Sequence, residues 1–352
     1  MSVSPFEHPF LSGLLGDEAL SALFSADADL KAMLAFEGAL AAAEAKDGLI
    51  PPEGAAAIAG GIASFEPDWL QLREGTRRDG VVVPEFVRQL RAAVGPDGEK
   101  HVHFGATSQD VIDTSLALRM GEALSILHER MERVLADLDQ LAARDGQIET
   151  MAHTRMQAAI PVPALRKIES WRQPLLRNKE RLAAVREGFL VLHLGGAAGT
   201  LDKLGKEGRA VSKDMADALG LAVIPHARHS ERDHVVVLAD WLSLVTGGLG
   251  KMGVDIALAA QSEVGEIRIK NGGGSSAMPH KVNPVGAEVL VTLARFNATL
   301  VSGMHQSLVH ENERSGAAWT LEWMLLPQMV MATGAALRMA SEVVGNIAFI
   351  QR

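Results

Sequence analysis

Apolar residues recur along most of this chain at the spacing of three and four residues that is typical of α-helices. Residues 28–46 carry Leu30, Met33 and Leu34 on one such stripe, and Gly48 with two following prolines ends it. Longer helical patterns follow at 111–141, 166–186, 230–269, 284–306 and 319–346. The pattern therefore predicts a mostly helical protein with five long helices.

The turn Gly95-Pro-Asp-Gly98 separates the shorter helical patterns from the longer ones. We therefore expect an N-terminal helical domain at 1–98 and a long-helix bundle at 99–352. The expected fold class is all-α, and the bundle is expected to carry both the active-site motifs and the core of an oligomer.

The long pattern at 230–269 is apolar on every side, which is typical of a helix that is buried all round. Gly247, Gly248, Gly250 and Gly253 would normally weaken such a helix. Their presence predicts close approach of a neighbouring helix and further burial of the bundle by partner subunits.

Composition excludes several classes of function. The chain has no Cys, which excludes disulfides and thiolate chemistry, and its His residues do not follow metal-site spacing, so we expect no metal and no cofactor. The net charge of -9 and the absence of a Lys/Arg run oppose nucleic-acid binding. Met1 to Pro9 lacks the pattern of a signal peptide, and charges interrupt the apolar stretches. We expect a cytoplasmic protein without a membrane or nucleic-acid partner.

The stretch that we call the signature loop runs from Lys270 to Pro284. Gly272 to Gly274 cannot belong to a packed helix and predict a hinge. The two serines and Lys281 follow, and Asn283-Pro284 predicts a helix start. Hydroxyls and a cation beside a helix N-terminus suit an anion, although a flexible linker would have a similar composition.

Two further stretches carry candidate chemistry. Thr107-Ser-Gln-Asp110 has the spacing of a capping box at a helix start, which suits either a plain cap or an anion site. Residues 151–161 place His153, Arg155 and Gln157 at alternating positions, which predicts one face of an extended segment. The strand-like run at 188–199 lacks both the dinucleotide and the P-loop glycine patterns.

These motifs resemble those of the fumarase/aspartase superfamily. Gly274-Ser-Ser-Ala-Met-Pro-His-Lys-Val-Asn-Pro284 is similar to its G-S-S-x-M-P-x-K-x-N-P motif, which is highly specific. Thr107-Ser-Gln-Asp110, Thr154-Arg-Met-Gln157 and the stretch from Glu313-Arg314 to Leu326-Pro327 resemble its other motifs. The resemblance spans residues 30–340 and implies a homotetramer with active sites shared between subunits. Most members also have a C-terminal helical domain, which we expect to be absent from this sequence.

Within the superfamily, the chain most resembles the 3-carboxy-cis,cis-muconate cycloisomerases, through residues 102–110, 192–200 and Glu322-Trp323. The resemblance implies lactone formation in the protocatechuate branch of aromatic degradation. Adenylosuccinate lyase is the alternative, but Arg155 replaces its usual histidine, and Trp319, Thr320 and Trp323 replace its phosphate-binding group. A carboxy- or a sulfo-substituted muconate fits equally. A non-catalytic structural protein is disfavoured because the catalytic motif is intact.

The resemblance also implies roles for individual residues. Ser275 would exchange the α-proton with Lys281 stabilising its oxyanion, and His153 is the alternative proton donor. Arg155 would bind the extra acid group of a tricarboxylate substrate. The other expected substrate-binding residues are Thr107, Ser108, Gln109, Gln157, Ser276, Met278, Asn283 and Arg314.

Overall fold

The computed structural model describes residues 4–274, 277–278 and 281–351. Short helices come first: α1 (Ser12–Leu15), α2 (Glu18–Leu23), α3 (Ala26–Lys46), α4 (Pro52–Ala63), α5 (Trp69–Asp79) and α6 (Val83–Val94). The rest of the described chain adds α7 (Ser108–Asp145), α8 (Ala164–Phe189), α9 (Gly208–Leu219), α10 (Asp233–Ala259), α11 (Val285–Gln306) and α12 (Ala317–Asn346). The mostly helical fold predicted from the sequence is confirmed.

Helices α7, α8, α10, α11 and α12 form the long-helix bundle around one hydrophobic core. Trp171 and Trp241 are among its largest fully buried side chains. Helix α7 begins at the predicted capping box. The Thr107 side chain accepts from the backbone N–H of Asp110, and the Asp110 side chain accepts from the backbone N–H of Thr107. Because these caps stabilise the helix start, the Thr107-Ser108 motif has a fixed position at one end of the bundle.

A second hydrophobic core lies among helices α3 to α6 and includes Phe36, Phe86 and Leu90. It also takes apolar side chains from 192–221, on the far side of the Gly95–Gly98 turn. The division into domains at 1–98 and 99–352 stays a prediction.

Two small antiparallel sheets interrupt the helical pattern in the described part of the chain. Strand β1 (Glu149–Thr154) pairs with β2 (Gln157–Pro163), and β3 (Ile267–Ile269) pairs with β4 (Ile347–Phe349). Arg155 and Met156 form the turn between β1 and β2, with φ of 50° and 66°. The expectation that His153, Arg155 and Gln157 share one face of a continuous extended segment is therefore wrong, because a tight hairpin reverses the chain at Arg155.

Two other sequence-based predictions are also wrong. The run at 188–199 forms no strand, and only Val191 makes an isolated bridge, to Ala222. The helix predicted at 230–269 ends at Ala259, because the chain turns through Gly265 with φ of 53° and then enters β3. Helix α7, with 38 residues, is consequently longer than α10, with 27 residues.

The glycines of α10 have the predicted packing role at two positions. A Cβ atom on Gly250 would lie 2.4 Å from the Cβ of Ala294, and one on Gly253 would lie 2.4 Å from the backbone oxygen of Ala287. Both contacts are shorter than a real Cβ contact allows, so glycine lets α10 and α11 approach closely.

Helix α10 leaves part of its apolar surface exposed. Val237 and Leu244 are 50% and 52% exposed and lie seven residues apart, and Val254 and Leu258 extend this strip. By length and composition α10 and α11 could each cross a membrane, but most of the apolar window of α10 is buried inside the bundle. An exposed apolar strip on a bundle helix is typical of a surface that another protein chain covers.

Candidate active site

A buried ion cluster joins three helices at the end of the bundle where α7 begins. Arg232, next to the start of α10, donates to Asp113 on α7 at 2.7 Å and to Glu322 on α12 at 2.6 Å. The Arg232 side chain is 1% exposed, and both carboxylates are similarly buried. The guanidinium binds each carboxylate through two nitrogens, so it fixes the relative positions of α7, α10 and α12.

Charge compensation keeps this cluster ionised. Burial alone would raise the pKa of the Asp113 carboxyl, but the Arg232 guanidinium outweighs it and holds that pKa well below its usual range. Burial would lower the pKa of Arg232, and the two carboxylates reverse this effect and raise it. Burial lowers the pKa of the neighbouring His193 to about 4. The cluster therefore contains two carboxylates and one cation, with His193 neutral at physiological pH.

Asp110 connects the start of α7 to two other segments. Its carboxylate accepts from the backbone N–H groups of Thr107, Gly195 and Gly196, each at 2.9 Å. Its Oδ1 also lies 2.7 Å from Nε2 of His229. Because Asp110 is fully buried, these contacts fix the segments around 195 and 229 against the start of the helix.

Gln109 and Arg314, two of the predicted site residues, are in direct contact. Nε of Arg314 donates to Oε1 of Gln109 at 3.0 Å. The Gln109 amide nitrogen donates to Asp113 at 3.1 Å and to the backbone oxygen of His229 at 2.8 Å. These contacts determine the orientation of the Gln109 amide. Its oxygen must face the guanidinium, because a guanidinium can only donate hydrogen bonds.

Arg314 has two further contacts through Nη2, with the backbone oxygen of Ala197 at 3.2 Å and with Nδ1 of His229 at 3.3 Å. Within the described part of the chain its Nη1 makes no hydrogen bond, and the residue is only partly buried. A fixed and partly exposed guanidinium beside the N-terminus of α7 suits an anionic ligand.

Thr107 and Ser108 lie in the same region, because they form the N-cap and the first residue of α7. Thr107 uses its side chain in the capping box, and both residues are partly buried. The structure therefore brings together Thr107, Ser108, Gln109 and Arg314 within one chain.

The other predicted site residues that the structure describes lie at the opposite end of the bundle. His153 is exposed on β1 and its Nδ1 lies 3.1 Å from the backbone oxygen of Met151. Arg155 and Gln157 are exposed at the hairpin turn and at the start of β2. His153 borders a cavity of about 460 Å³, which is also lined by Thr150, Glu263, Glu266 and Ile350.

The base of the signature loop lies at this same end. Gly273 pairs with Asn283 through an antiparallel bridge, and the Asn283 amide nitrogen donates to the backbone oxygen of Gly274 at 3.3 Å. This contact replaces the N-cap role predicted for Asn283, since α11 begins after Pro284 without a side-chain cap. Met278 and Lys281 are exposed, whereas Ser275 and Ser276 lie outside the described residues.

The two groups of motifs are too far apart to meet within one chain. Helix α7 has Thr107 at its N-terminus and ends at Asp145, just before β1. Its 38 residues span about 57 Å at 1.5 Å per residue. A site that contains both Arg314 and the signature loop therefore requires more than one copy of the chain.

Comparison with known proteins agrees with these motifs. The family model described as "Lyase" matches residues 16–298. The chain belongs to this lyase family of the fumarase/aspartase superfamily. Among the relatives of this chain, 3-carboxy-cis,cis-muconate cycloisomerase from Pseudomonas aeruginosa is 38% identical over 91% of this chain and 71% of its own length. The enzyme of the same name from Acinetobacter baylyi is 36% identical over 91% of this chain and 73% of its own.

A solved structure supports the same family for this chain. The 3-carboxy-cis,cis-muconate lactonizing enzyme from Pseudomonas putida has a TM-score of 0.91 and 34% sequence identity. The match covers 97% of this chain and 77% of that one. The family fold predicted from the sequence motifs is thus confirmed.

The structure also contains residues that sequence reasoning missed. Asp113 and His229 contact Gln109 and Arg314, and Arg232 with Glu322 holds Asp113, but these residues lie far apart in sequence. The one available signal was the run Ser230-Glu-Arg-Asp233, which places an arginine where an almost wholly apolar helix begins. A cation entering a buried helix requires buried carboxylate partners.

Trp319 has a structural role in this chain. It is buried, its indole nitrogen donates to Asp113 at 3.2 Å, and its ring packs edge-on against Trp323 at 4.8 Å. It therefore supports the ion cluster under the site. No group of three or more His, Cys, Asp or Glu side chains suited to a metal occurs in the part of the chain that the structure describes.

Proposed function

We propose that this chain is a cycloisomerase that closes 3-carboxy-cis,cis-muconate to the γ-lactone 4-carboxymuconolactone. The observation that carries the proposal is its likeness to cycloisomerases of that name over nine tenths of the chain. The position of Arg314 beside the start of α7 supports it, because a tricarboxylate needs fixed cationic and N–H donors.

The proposed reaction is an intramolecular addition that needs no co-reactant. One substrate carboxylate oxygen attacks a carbon of the diene and forms the C–O bond of the lactone. The electron pair of that double bond moves onto the adjacent carboxylate, which becomes an aci-carboxylate. A proton is then delivered to the α-carbon, so the product is an isomer of the substrate. Because charge accumulates on one carboxylate, donors aimed at it lower the barrier most.

The residues of the signature loop would perform the proton transfer. Ser275 delivers the proton to the α-carbon, and the Lys281 cation stabilises the serine oxyanion until it regains a proton from water. Ser276, Met278 and Asn283 lie near in sequence and would supply donors and apolar contacts to the substrate. His153 is the second candidate for the proton donor.

The substrate carboxylates would bind between the two groups of motifs. Arg314, Gln109, Thr107 and Ser108 form the anion-binding side, and Arg155 and Gln157 come from the hairpin turn of another copy. We propose a homotetramer in the cytoplasm with each active site shared between subunits. The exposed apolar strip of α10, with Val237 and Leu244 half exposed, supports association through the bundle. A membrane, a nucleic acid and a cofactor have no part in the proposed reaction.

A spectrophotometric assay tests this function directly. The purified protein is expected to remove the diene absorbance of 3-carboxy-cis,cis-muconate without added metal or cofactor. The alternative function, a C–N lyase similar to adenylosuccinate lyase, predicts fumarate release from adenylosuccinate instead. Fumarate release with no loss of the diene absorbance would replace the proposed function by that alternative. A sulfo-substituted muconate in a parallel assay determines which acid group the enzyme prefers.

Replacing Arg155 by leucine is expected to raise the KM for 3-carboxymuconate about tenfold or more and to change kcat less. A hydrogen-bonded charge pair contributes about 1.5–3 kcal/mol, which is a tenfold or larger change in binding. Arg155→Lys is the matched control, because it keeps the charge but loses the bidentate geometry of the guanidinium. Its KM should lie between the values for the wild type and Arg155→Leu. Unchanged KM and kcat in Arg155→Leu would rule out this role. Steady-state kinetics on all three proteins make the comparison.

A further inference from the structure

The contact between Arg314 and His229 determines the protonation state of the histidine. Nη2 of Arg314 lies 3.3 Å from Nδ1 of His229. A guanidinium can only donate hydrogen bonds, so Nδ1 must be the acceptor and must carry no proton. Nε2 of the same ring lies 2.7 Å from Oδ1 of Asp110, which accepts, so the proton of the neutral ring lies on Nε2.

Other contacts of Asp110 support this assignment. Its carboxylate already accepts from three backbone N–H groups, of Thr107, Gly195 and Gly196, so both of its oxygens act as acceptors. An ionised carboxylate accepts but does not donate, so it needs a donor on Nε2. His229 is 4% exposed, so solvent has little access to either nitrogen. The two neighbours of the ring therefore specify one tautomer from opposite sides.

We propose that His229 is a positioning residue for the substrate-binding Arg314, and that it holds the guanidinium only as the neutral tautomer with its proton on Nε2. This inference rests on the proposed function, in which Arg314 binds a substrate carboxylate. Protonation of Nδ1 places an N–H against the N–H of Arg314 and removes one of the acceptors that hold it. The anion-binding side of the site then loses its fixed geometry, and substrate binding weakens as the pH falls.

Several charged and titratable groups surround the ring and influence this equilibrium. Helix α7 supplies Asp110 and Asp113, and the chain before α12 supplies Arg314. The segment after α8 supplies His193, and the segment of His229 itself supplies Arg228, Arg232 and, at the start of α10, His234. Glu322 of α12 binds Arg232 on the far side of the cluster. Each of these groups stays the same in the variants below, so the variants differ only at position 229.

Two substitutions separate the nitrogens of the ring. Asparagine places its amide near the position of Nδ1 and can still accept from Arg314, but it does not titrate. Glutamine reaches the position of Nε2 and can still donate to Asp110, but it leaves Arg314 without this acceptor. We expect His229→Gln to raise KM about tenfold, the value of a lost hydrogen bond to a charged group, with a smaller change in kcat. His229→Asn should keep a KM near that of the wild type.

The pH dependence of KM is the second readout. As the pH is lowered, the wild-type KM should rise more steeply than the KM of His229→Asn, because asparagine cannot take up the proton that removes the acceptor. Protonation of the substrate affects both proteins equally and cancels in this comparison. His226→Gln is the matched control, because His226 is an exposed histidine of the same segment, paired with Glu231, and should match the wild type. Equal rises of KM in the Asn and Gln variants, or a wild-type pH profile in His229→Asn, would overturn the proposal.

An NMR measurement keeps this test independent of the reaction. In protein labelled with ¹⁵N-histidine, the resonance that disappears in His229→Gln should have the pattern of a neutral ring protonated at Nε2. An imidazolium, or a ring protonated at Nδ1, at neutral pH would overturn the proposal even if the enzyme is fully active. Failure of the wild type to convert 3-carboxymuconate would instead reject the proposed function and leave this tautomer measurement valid.

Discussion

Ser275→Ala is expected to lower kcat for lactone formation by a factor of about 10² to 10⁴, the usual contribution of a positioned proton-transfer group. Alanine cannot deliver the proton that the α-carbon receives in the last step. KM should change little, because the cations that bind the substrate carboxylates remain. The far-ultraviolet circular dichroism should match that of the wild type. Steady-state kinetics with 3-carboxymuconate give both constants.

Two further variants make the test of Ser275 specific. Ser276→Ala removes the neighbouring hydroxyl, to which we assign substrate binding, and should affect KM more than kcat. His153→Gln removes the alternative proton donor and should retain much more activity than Ser275→Ala. If Ser275→Ala kept nearly full activity while His153→Gln lost it, the roles of the two residues would be reversed. The assignment of Ser275 rests on its place in the sequence motif, because Ser275 lies outside the described residues.

Arg232→Met should lower the free energy of unfolding by about 3–5 kcal/mol, the usual cost of breaking a buried ion pair from one side. Methionine fills much of the volume of arginine but leaves the carboxylates of Asp113 and Glu322 buried and without their cation. Gln109 and Arg314 are positioned from the same cluster, so activity should fall as well. The midpoint of urea unfolding measures the change in stability. Arg133→Met, which removes an exposed arginine paired with Glu129, should change stability by about 0.5 kcal/mol or less.

The sign of the pH dependence identifies the cause of this loss. In the wild type the folded-state pKa of Asp113 is depressed, so its contribution to stability is present above the unfolded-state pKa and is lost as the pH falls through the folded-state value. In Arg232→Met the carboxylates lack a cation, and burial then favours their protonated forms. Stability of the variant should therefore rise on acidification from about pH 7 to about pH 5, the range over which buried carboxyls take up protons.

A compensating variant keeps this prediction testable even if Arg232→Met folds poorly. Adding Asp113→Asn and Glu322→Gln removes both uncompensated charges and should restore much of the lost stability. If the triple variant were no more stable than Arg232→Met, the loss would come from packing around residue 232 and not from the buried carboxylates.

Periodicity was sufficient to predict the helical bundle and most of its helix boundaries. Helices α7, α8, α11 and α12 lie within a few residues of the predicted ranges, because their apolar stripes face one core. The errors occur where backbone geometry overrides pattern. The hairpin at Arg155 depends on two residues with positive φ, which alternation of side chains does not reveal. The end of α10 at Ala259 depends on the turn through Gly265 and the pairing of β3 with β4, which join distant parts of the chain.

The candidate site was predictable only in part for a similar physical reason. Thr107, Gln109 and Arg314 belong to local motifs that are recognisable in sequence. Gln109 is held by Asp113 and Arg314 by His229, while Glu322 acts only through Arg232, which binds Asp113. A single sequence shows these partners only as isolated polar residues. Their partners are set by how α7, α10 and α12 pack against one another. The position of the two motif groups at opposite ends of the bundle likewise follows from the direction of α7 and its length of about 57 Å.

Complementation between two inactive variants tests most directly whether copies of this chain share one cyclising site. Ser275→Ala alters the signature loop and Arg314→Leu alters the opposite end of the bundle. Each variant alone should be nearly inactive toward 3-carboxymuconate. The two variants are co-expressed with different affinity tags, and hybrids that carry both tags should regain activity. If subunits assort at random and each site takes Ser275 and Arg314 from different copies, the activity should reach about a quarter of the wild-type value. Hybrids as inactive as the separate variants would contradict the shared site.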